Sequence, residues 1–300
     1  MKRWLFVFVT LLSCIAAGAT PKRPRILGIG GVTILVSDMP AAVRFYQRVT
    51  DPTNSCTMCE AFPSRFFSLP SGQRIGLEPA SADSAKNLLA EIAFRVDNVD
   101  KLGKYLKANS ISFEEVKSET TKDIVSISVY DPEGHHLLFI GPDQTFIAAP
   151  QRSDSSVRII HAGFVVNDRS AEDHFYKDIL GFHVYWRGGR KDDETDWVNM
   201  QVPDGTDWIE YMLNVPANAD HHTLGVMNHI ALGVPDIHAA EEQLRKNGWS
   251  GNEQPKIGRG GKWQLNLYDP DDTRVELMEF TPTQKPCCSE YTGPHPGQKR

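Results

Sequence analysis

The stretch Ile160-His161-Ala162-Gly163-Phe164-Val165-Val166-Asn167-Asp168, running on through Arg169-Ser170-Ala171-Glu172-Asp173-His174-Phe175-Tyr176, is an apolar strand, a polar capping residue and an amphipathic helix in succession. The same order recurs over Ile29 to Tyr46, Ile92 to Leu106 and Ile230 to Leu244, with Asp38, Asp97, Asp168 and Asp236 as the expected N-caps. Helical spacing of Val99, Leu102 and Leu106, and of Ile237, Ala240 and Leu244, predicts that one face of each helix is buried. Each copy then reaches a proline turn before its last strand: Pro70-Ser71-Gly72, Asp131-Pro132-Glu133-Gly134, Pro203-Asp204-Gly205 and Asp269-Pro270-Asp271-Asp272. The turns alternate in kind, as duplication of a two-copy unit leaves them.

Four βαβββ modules in one chain predict an α+β fold. Pairing consecutive copies gives two domains, 25–146 and 157–282, separated by the polar stretch 150–156 and followed by a Pro-rich tail, 283–300, expected to be coil. The strand, the helix and the Tyr-Asp-Pro turn before a final strand resemble the vicinal oxygen chelate superfamily of glyoxalases, bleomycin-resistance proteins and extradiol dioxygenases. The resemblance covers nearly all of the chain beyond its first twenty residues and implies two glyoxalase-like domains.

A net charge of -6 and a pI near 5.9 argue against nucleic acid as a partner. Residues 1–20 read as a signal peptide: Lys2 and Arg3, an apolar run from Trp4 to Ile15, then small residues ending at Ala19. The run is short for a membrane span. Export to the periplasm or medium is therefore expected, with a lipid anchor at Cys14 as the minor alternative. Export favours disulfides for Cys56, Cys59, Cys287 and Cys288 over a four-cysteine zinc site. Either two bridges tie the tail to the first domain or each pair closes locally.

The first strands of the third and fourth copies carry His161 and His229 at the same register, and alternation turns both away from the apolar face that packs on the helices. The last strands, Trp208-Ile209-Glu210-Tyr211-Met212 and Arg274-Val275-Glu276-Leu277-Met278, each hold one carboxylate in an apolar setting. The spacings match, 49 residues from His161 to Glu210 and 47 from His229 to Glu276. A lone strand histidine is usually structural. With ten histidines in 300 residues, however, one at both equivalent sites has odds on the order of one in a thousand by chance. The superfamily's metal ligands occupy these same four places, so the resemblance implies that His161, Glu210, His229 and Glu276 bind one divalent ion, in the manner of the bacterial metal-dependent glyoxalases. Two imidazoles and two carboxylates suit Ni, Fe, Mn, Co or Zn. Two remaining positions would take a small substrate's neighbouring oxygens and favour an enediolate, with Glu276 or Glu210 as the base.

The first domain has Gly31, Leu77, Glu91 and Leu138 at the aligned places and is expected to bind no metal; His135 and His136 read as surface. Arg187-Gly188-Gly189-Arg190 and Gly258-Arg259-Gly260-Gly261-Lys262 read as hairpin turns with solvated charges or, alternatively, as a grip on an anionic substrate through Arg187, Arg259 and Lys262. Trp186, Trp197, Trp208, Tyr211, Trp263 and Asn266 are candidate pocket residues. His221 and His222 are either an acid–base pair beside the pocket or surface. Three functions follow from the resemblance. The first is a glyoxalase-like isomerase or lyase. The second is an extradiol ring-cleaving dioxygenase on Fe(II), which needs two histidines and a single glutamate. The third is a non-enzymatic small-molecule binder like the bleomycin-resistance proteins. Against the first, methylglyoxal-pathway glyoxalases use a glutathione adduct in the cytosol, and this sequence shows no thiol-cofactor signature.

Overall fold

A computed structural model describes residues 21–50, 65–81, 87–121, 123–141 and 157–297. The expected signal peptide with Cys14, the Cys56/Cys59 pair and the stretch 150–156 lie outside the described residues. The first half runs β1 (Ile26–Val36), α1 (Met39–Thr50), β2 (Arg65–Ser68), β3 (Arg74–Pro79), β4 (Leu89–Val96), α2 (Val99–Ala108), β5 (Glu114–Lys117), β6 (Ile124–Tyr130), β7 (His136–Ile140). The second half runs β8 (Arg158–Val165), α3 (Arg169–Glu172) continuing as a π-helical segment over Asp173–Ile179, β9 (His183–Gly188), β10 (Trp197–Gln201), β11 (Trp208–Met212), α4 (His221–Met227), β12 (His229–Val234), α5 (Ile237–Lys246), β13 (Lys256–Ile257), β14 (Trp263–Tyr268), β15 (Arg274–Glu279).

Two mixed sheets result, in the orders β2-β3-β1-β4-β7-β6-β5 and β13-β14-β15-β12-β8-β11-β10-β9. Each is a pair of modules joined by their antiparallel first strands, β1 with β4 and β8 with β12, and each first strand has its own module's last strand parallel on its other side. Four strands from two modules therefore meet at the middle of each sheet. This brings residues 115 positions apart, such as His161 and Glu276, to one place.

Helix starts follow local chemistry. Asp38, Asp168 and Asp236 accept hydrogen bonds from backbone N–H groups of their first turns. At α2 the cap is Asn98, one residue beyond the expected Asp97; Asp97 instead accepts from the Arg25 N–H. The helices pack on one face of each sheet, and a single apolar cluster including Val32, Tyr46, Phe94, Phe164, Tyr176 and Leu232 spans both halves.

The halves are also joined by buried polar bonds. The Gln73 amide nitrogen donates to the carbonyls of Ile29 (2.9 Å) and Ile159 (2.8 Å), and its oxygen accepts from the Ile159 N–H. The helix of each half sends a tyrosine into the other: Tyr46 donates to Asp269 (3.1 Å) and Tyr176 to Asp131 (3.0 Å), the aspartates of the two Tyr-Asp-Pro turns. His135 packs on Phe164 and bonds Asp131 at 2.8 Å, and His136 lies 2.7 Å from Ser128 Oγ, so both are half-buried structural residues and not the surface pair expected.

The second of these joints differs from the first by Glu172, at the place of Ala42 in α1. Glu172 is fully buried beside Asp131; one oxygen accepts from the Glu133 N–H (3.1 Å) and the other has no donor. Burial first, then the Asp131 charge, raises its pKa well above the carboxyl range. The folded chain thus holds a proton that the unfolded chain loses above about pH 4.5, so this group's contribution to stability falls as pH rises from there. Glu172→Gln keeps the shape without the proton. It is expected to raise stability at pH 8 by about 1–2 kcal/mol and not at pH 4, as thermal unfolding at both values would read.

Candidate metal centre

At the middle of the second sheet the four residues singled out in the sequence come from four adjacent strands: Glu210 on β11, His161 on β8, His229 on β12 and Glu276 on β15. The His161 Nε2 stands 3.1 Å from His229 Nε2, 3.5 Å from Glu276 Oε2 and 4.0 Å from Glu210 Oε2, and His229 Nε2 is 3.3 Å from Glu210 Oε2. Both histidines are fully buried. His161, Glu210 and His229 form the tightest group, their ligand atoms all within 4.8 Å of one another, with Glu276 beside it against His161.

The surroundings fix these side chains. His229 Nδ1 donates to the Met227 carbonyl at 2.8 Å, which leaves its Nε2 lone pair facing the cluster. The His161 ring stacks on Trp208 with centroids 4.8 Å apart. Asn199, pairing with Glu210 across β10 and β11, donates to Glu210 Oε1 (2.8 Å) and accepts from Trp208 Nε1 (3.1 Å) when its amide is oriented to satisfy both. Gly163 pairs with His229 across β8 and β12, and a Cβ there would lie 2.0 Å from His229 Cε1. Gly163→Ala is therefore expected to turn the His229 ring out of place, cost about 1–3 kcal/mol and weaken metal binding at least about tenfold. Circular dichroism and a metal titration would separate the two effects.

Burial holds both imidazoles well below the ordinary histidine range, with Glu210 opposing this at His161 and Arg274 reinforcing it at His229. Burial thus favours the neutral imidazole, the form that can ligate a metal. Glu276 is raised to about 7, by burial first, with Arg274 opposing and Glu210 adding to the rise. His161 Nδ1 is a buried nitrogen with no partner. Two neutral imidazoles and two carboxylates converging in one buried cluster fit a divalent cation of borderline hardness. Arg274 is the competing charge: its guanidinium donates to His229 Nε2 at 2.7 Å, the lone pair a metal would take, and must withdraw for an ion to enter.

A cavity of about 430 Å3 opens over the cluster, lined by Glu210, Glu276 and Arg274, by Trp186, Trp197, Trp208 and Tyr291, and by Arg190, Lys256, Arg259 and Lys262 among others. Of the expected substrate-binding residues, Trp197, Arg259, Lys262 and Asn266 line it, and Asn266 Oδ1 is buried without a partner. Arg187 does not; its side chain is exposed, and Trp186 and Arg190 on either side of it line the cavity instead. Tyr211 packs in the core with Phe164 and Tyr176, and Trp263 packs on His238 of α5, so neither faces the cavity. His221 and His222 are exposed at the start of α4, bonded to Asp271 O and paired with Asp272. Lys262 is buried in an aromatic box, 4.7 Å over Trp208 and 5.4 Å over both Tyr185 and Tyr291, and burial lowers it to about 7.

Arg274 went unassigned in the sequence although strand alternation puts it on the same face as Glu276, two residues on. Tyr291, Tyr185 and His295 carried no usable signal. Tyr291 reaches the cavity, with Tyr185 of β9 and His295 packed against it, because the irregular tail after β15 lies along β9, with the Thr292 N–H donating to Tyr185 O (3.0 Å), Tyr291 OH to Gly260 O (2.8 Å) and Tyr185 OH bonded to His295.

In the first sheet the equivalent places follow from register. Gly31 stands for His161, Glu91 for His229 and Leu138 for Glu276. Gly76 stands for Glu210, in place of the expected Leu77, because Gly76 pairs with Thr33 as Glu210 pairs with Gly163. Glu91, near Thr33 and His136, is the single candidate ligand of that set.

The profile of the Glyoxalase/Bleomycin resistance protein/Dioxygenase superfamily matches residues 28–139 and 158–277. The lactoylglutathione lyase of Haemophilus influenzae is 26% identical over 130 residues, covering 43% of this chain and 96% of that protein. The probable chloroplastic lactoylglutathione lyase of Arabidopsis thaliana is 26% identical over 137 residues, covering 44% of this chain and 38% of that protein, so the match spans well under half of that relative. Among solved structures, homoprotocatechuate 2,3-dioxygenase of Arthrobacter globiformis is similar with a TM-score of 0.62 at 20% identity, over 87% of this chain and 82% of that one. The Brevibacterium fuscum enzyme in complex with 3,4-dihydroxyphenylacetate gives 0.62 at 20%, over 92% and 85%. At these identities the structural likeness concerns fold. With both halves of the chain matched and both sheets built from paired modules, the chain belongs to the Glyoxalase/Bleomycin resistance protein/Dioxygenase superfamily.

Proposed function

We propose that this chain is an exported, metal-dependent enzyme of glyoxalase type, an isomerase or lyase that moves a proton at a carbon beside a carbonyl in a small substrate with vicinal oxygens. The observation that carries the reading is the convergence of His161, His229, Glu210 and Glu276 in one buried cluster, with Glu210 pointing into it. His161, His229 and Glu210 would hold the ion, with Glu276 as the fourth ligand. When bound, the ion supplies a Lewis acid that lowers the pKa of a carbon-bound proton next to a polarised carbonyl.

The remaining work belongs to the chain's own side chains. Glu276 stands at the edge of the cluster, 3.5 Å from His161, placed to accept a proton and return it. Trp186, Trp197 and Trp208 exclude water and offer flat apolar surface; Arg259 and Arg190 give the cavity positive charge for an anionic substrate, beside Lys262, which burial lowers to about 7. The export half of the proposal rests on residues 1–20 of the sequence.

A second reading, ring cleavage of catechols with Fe(II), takes His161, His229 and Glu276, 3.5 Å from His161, as a two-histidine, one-carboxylate iron site with open positions, Glu210 standing off the ion. Assays on metal-loaded protein distinguish them. Isomerisation of vicinal-oxygen compounds, thiol adducts of α-ketoaldehydes included, without oxygen uptake supports the first; oxygen-consuming cleavage of catechols supports the second. Tight binding of such compounds with no turnover of either kind would instead favour a small-molecule binder.

A further inference from the structure

Beside the cavity mouth the tail carries a disulfide between the adjacent residues Cys287 and Cys288. Of the pairings open in the sequence, the structure has the local one for this pair. The bridge is wired to the cavity rim on both sides. The Cys287 N–H donates to Arg259 O (2.9 Å), and the Cys287 carbonyl accepts from Trp186 Nε1 (3.2 Å). Ser289, next along, exchanges two 3.0 Å bonds with the Arg187 backbone. Trp186, Arg259 and Tyr291 all line the cavity, so the segment that holds the disulfide also positions three of its walls.

Two features make the bridge reactive in a directed way. Cys288 is exposed while Cys287 is half-buried against the Trp186 cluster, so one sulfur is open to attack. The Arg259 guanidinium lies 3.7 Å from Cys288 Sγ and bridges it to Asp192, so its charge offsets that carboxylate beside a developing thiolate. Cys288 also sits at φ 70, in the left-handed region that a residue with a side chain rarely adopts. Once the bond is cut, the link that pins this conformation is gone.

We propose that Cys287–Cys288 is a thiol–disulfide exchange site whose partner is a dithiol reductant, and that its reduction releases the tail from the cavity rim. The reductant's thiolate attacks Cys288 Sγ; the S–S bond breaks and its electron pair goes to the Cys287 sulfur, which takes a proton. The reductant's second thiolate then displaces the mixed disulfide, leaving Cys288 as a thiolate beside Arg259. The protein disulfide has gained two electrons and the dithiol has become a disulfide. The inference rests on the tail's own contacts and stands whether or not the metal reading does.

The test uses the full chain and dithiothreitol as the probe. Peptide mapping without reduction should find Cys287 and Cys288 joined to each other and protected from alkylation; a link from either to Cys56 or Cys59 would overturn the proposal. Hydrogen exchange at Thr283, Cys287 and Thr292 should speed up at least about tenfold once the bridge is reduced. The response should persist in Cys56→Ser/Cys59→Ser, and Cys287→Ser/Cys288→Ser should exchange fast with or without reductant. Full reduction of the bridge with no change in exchange at these amides would overturn the release, and the wild-type arm decides this even if the double variants fold poorly.

Discussion

Glu276→Gln is expected to lower turnover by about 10²–10⁴-fold while substrate affinity stays within about threefold. The amide matches the carboxylate in shape but cannot accept a proton from carbon. It also leaves His161, His229 and Glu210, the tightest group, in place. Kinetics of wild type and variant on any accepted substrate, with metal at saturation, check this; equal losses in turnover and binding would remove Glu276 from the role of base.

His161→Ala is expected to reduce divalent-metal affinity by at least about a hundredfold, since it deletes the nitrogen that faces the other three residues of the cluster at 3.1–4.0 Å. Because burial already keeps both imidazoles neutral, mild acid should weaken metal binding through Glu276, so affinity in the wild type should rise from pH 6 to pH 8. Metal at a hundredfold excess over its dissociation constant should stabilise the wild type by about 2.7 kcal/mol and the variant hardly at all. Thermal unfolding with and without metal reads this directly.

The fold was legible because each module repeats one strand, cap and helix, and because matched spacings can be counted without knowing the structure. The four residues of the cluster were legible for the same reason: equivalent strands in equivalent modules meet at the sheet's centre. Other details depended on what counting cannot see. Counting from the turns at Gly72 and Gly205 gives Leu77, whereas the strand register pairs Gly76 with Thr33 as Glu210 pairs with Gly163, and a one-residue slip moves a side chain to the other face. His135 reads as a loop residue until the second half docks Phe164 and Tyr176 against its turn. Arg187 and Arg190 flank the same glycines, but Arg187 points to solvent from β9 while Arg190, past the strand's end and paired with Asp196, lies on the cavity rim. The tail has no periodicity to betray its course, since its contacts are single hydrogen bonds to β9 and to the Gly258–Lys262 turn. Arg274 was readable by strand alternation, and its bond to His229 shows what balances the lone pairs of this cluster.

The measurement closest to the central claim is the metal content of the full chain, handled without oxygen and saturated with divalent ions before desalting, beside His161→Ala and Glu210→Ala. The account predicts about one divalent ion per chain in the wild type and none retained in either variant, each still folded by circular dichroism. A folded wild type that retains no metal would contradict the metal centre itself, and iron retained in full without Glu210 would contradict the four-ligand site and leave the ring-cleaving reading in its place.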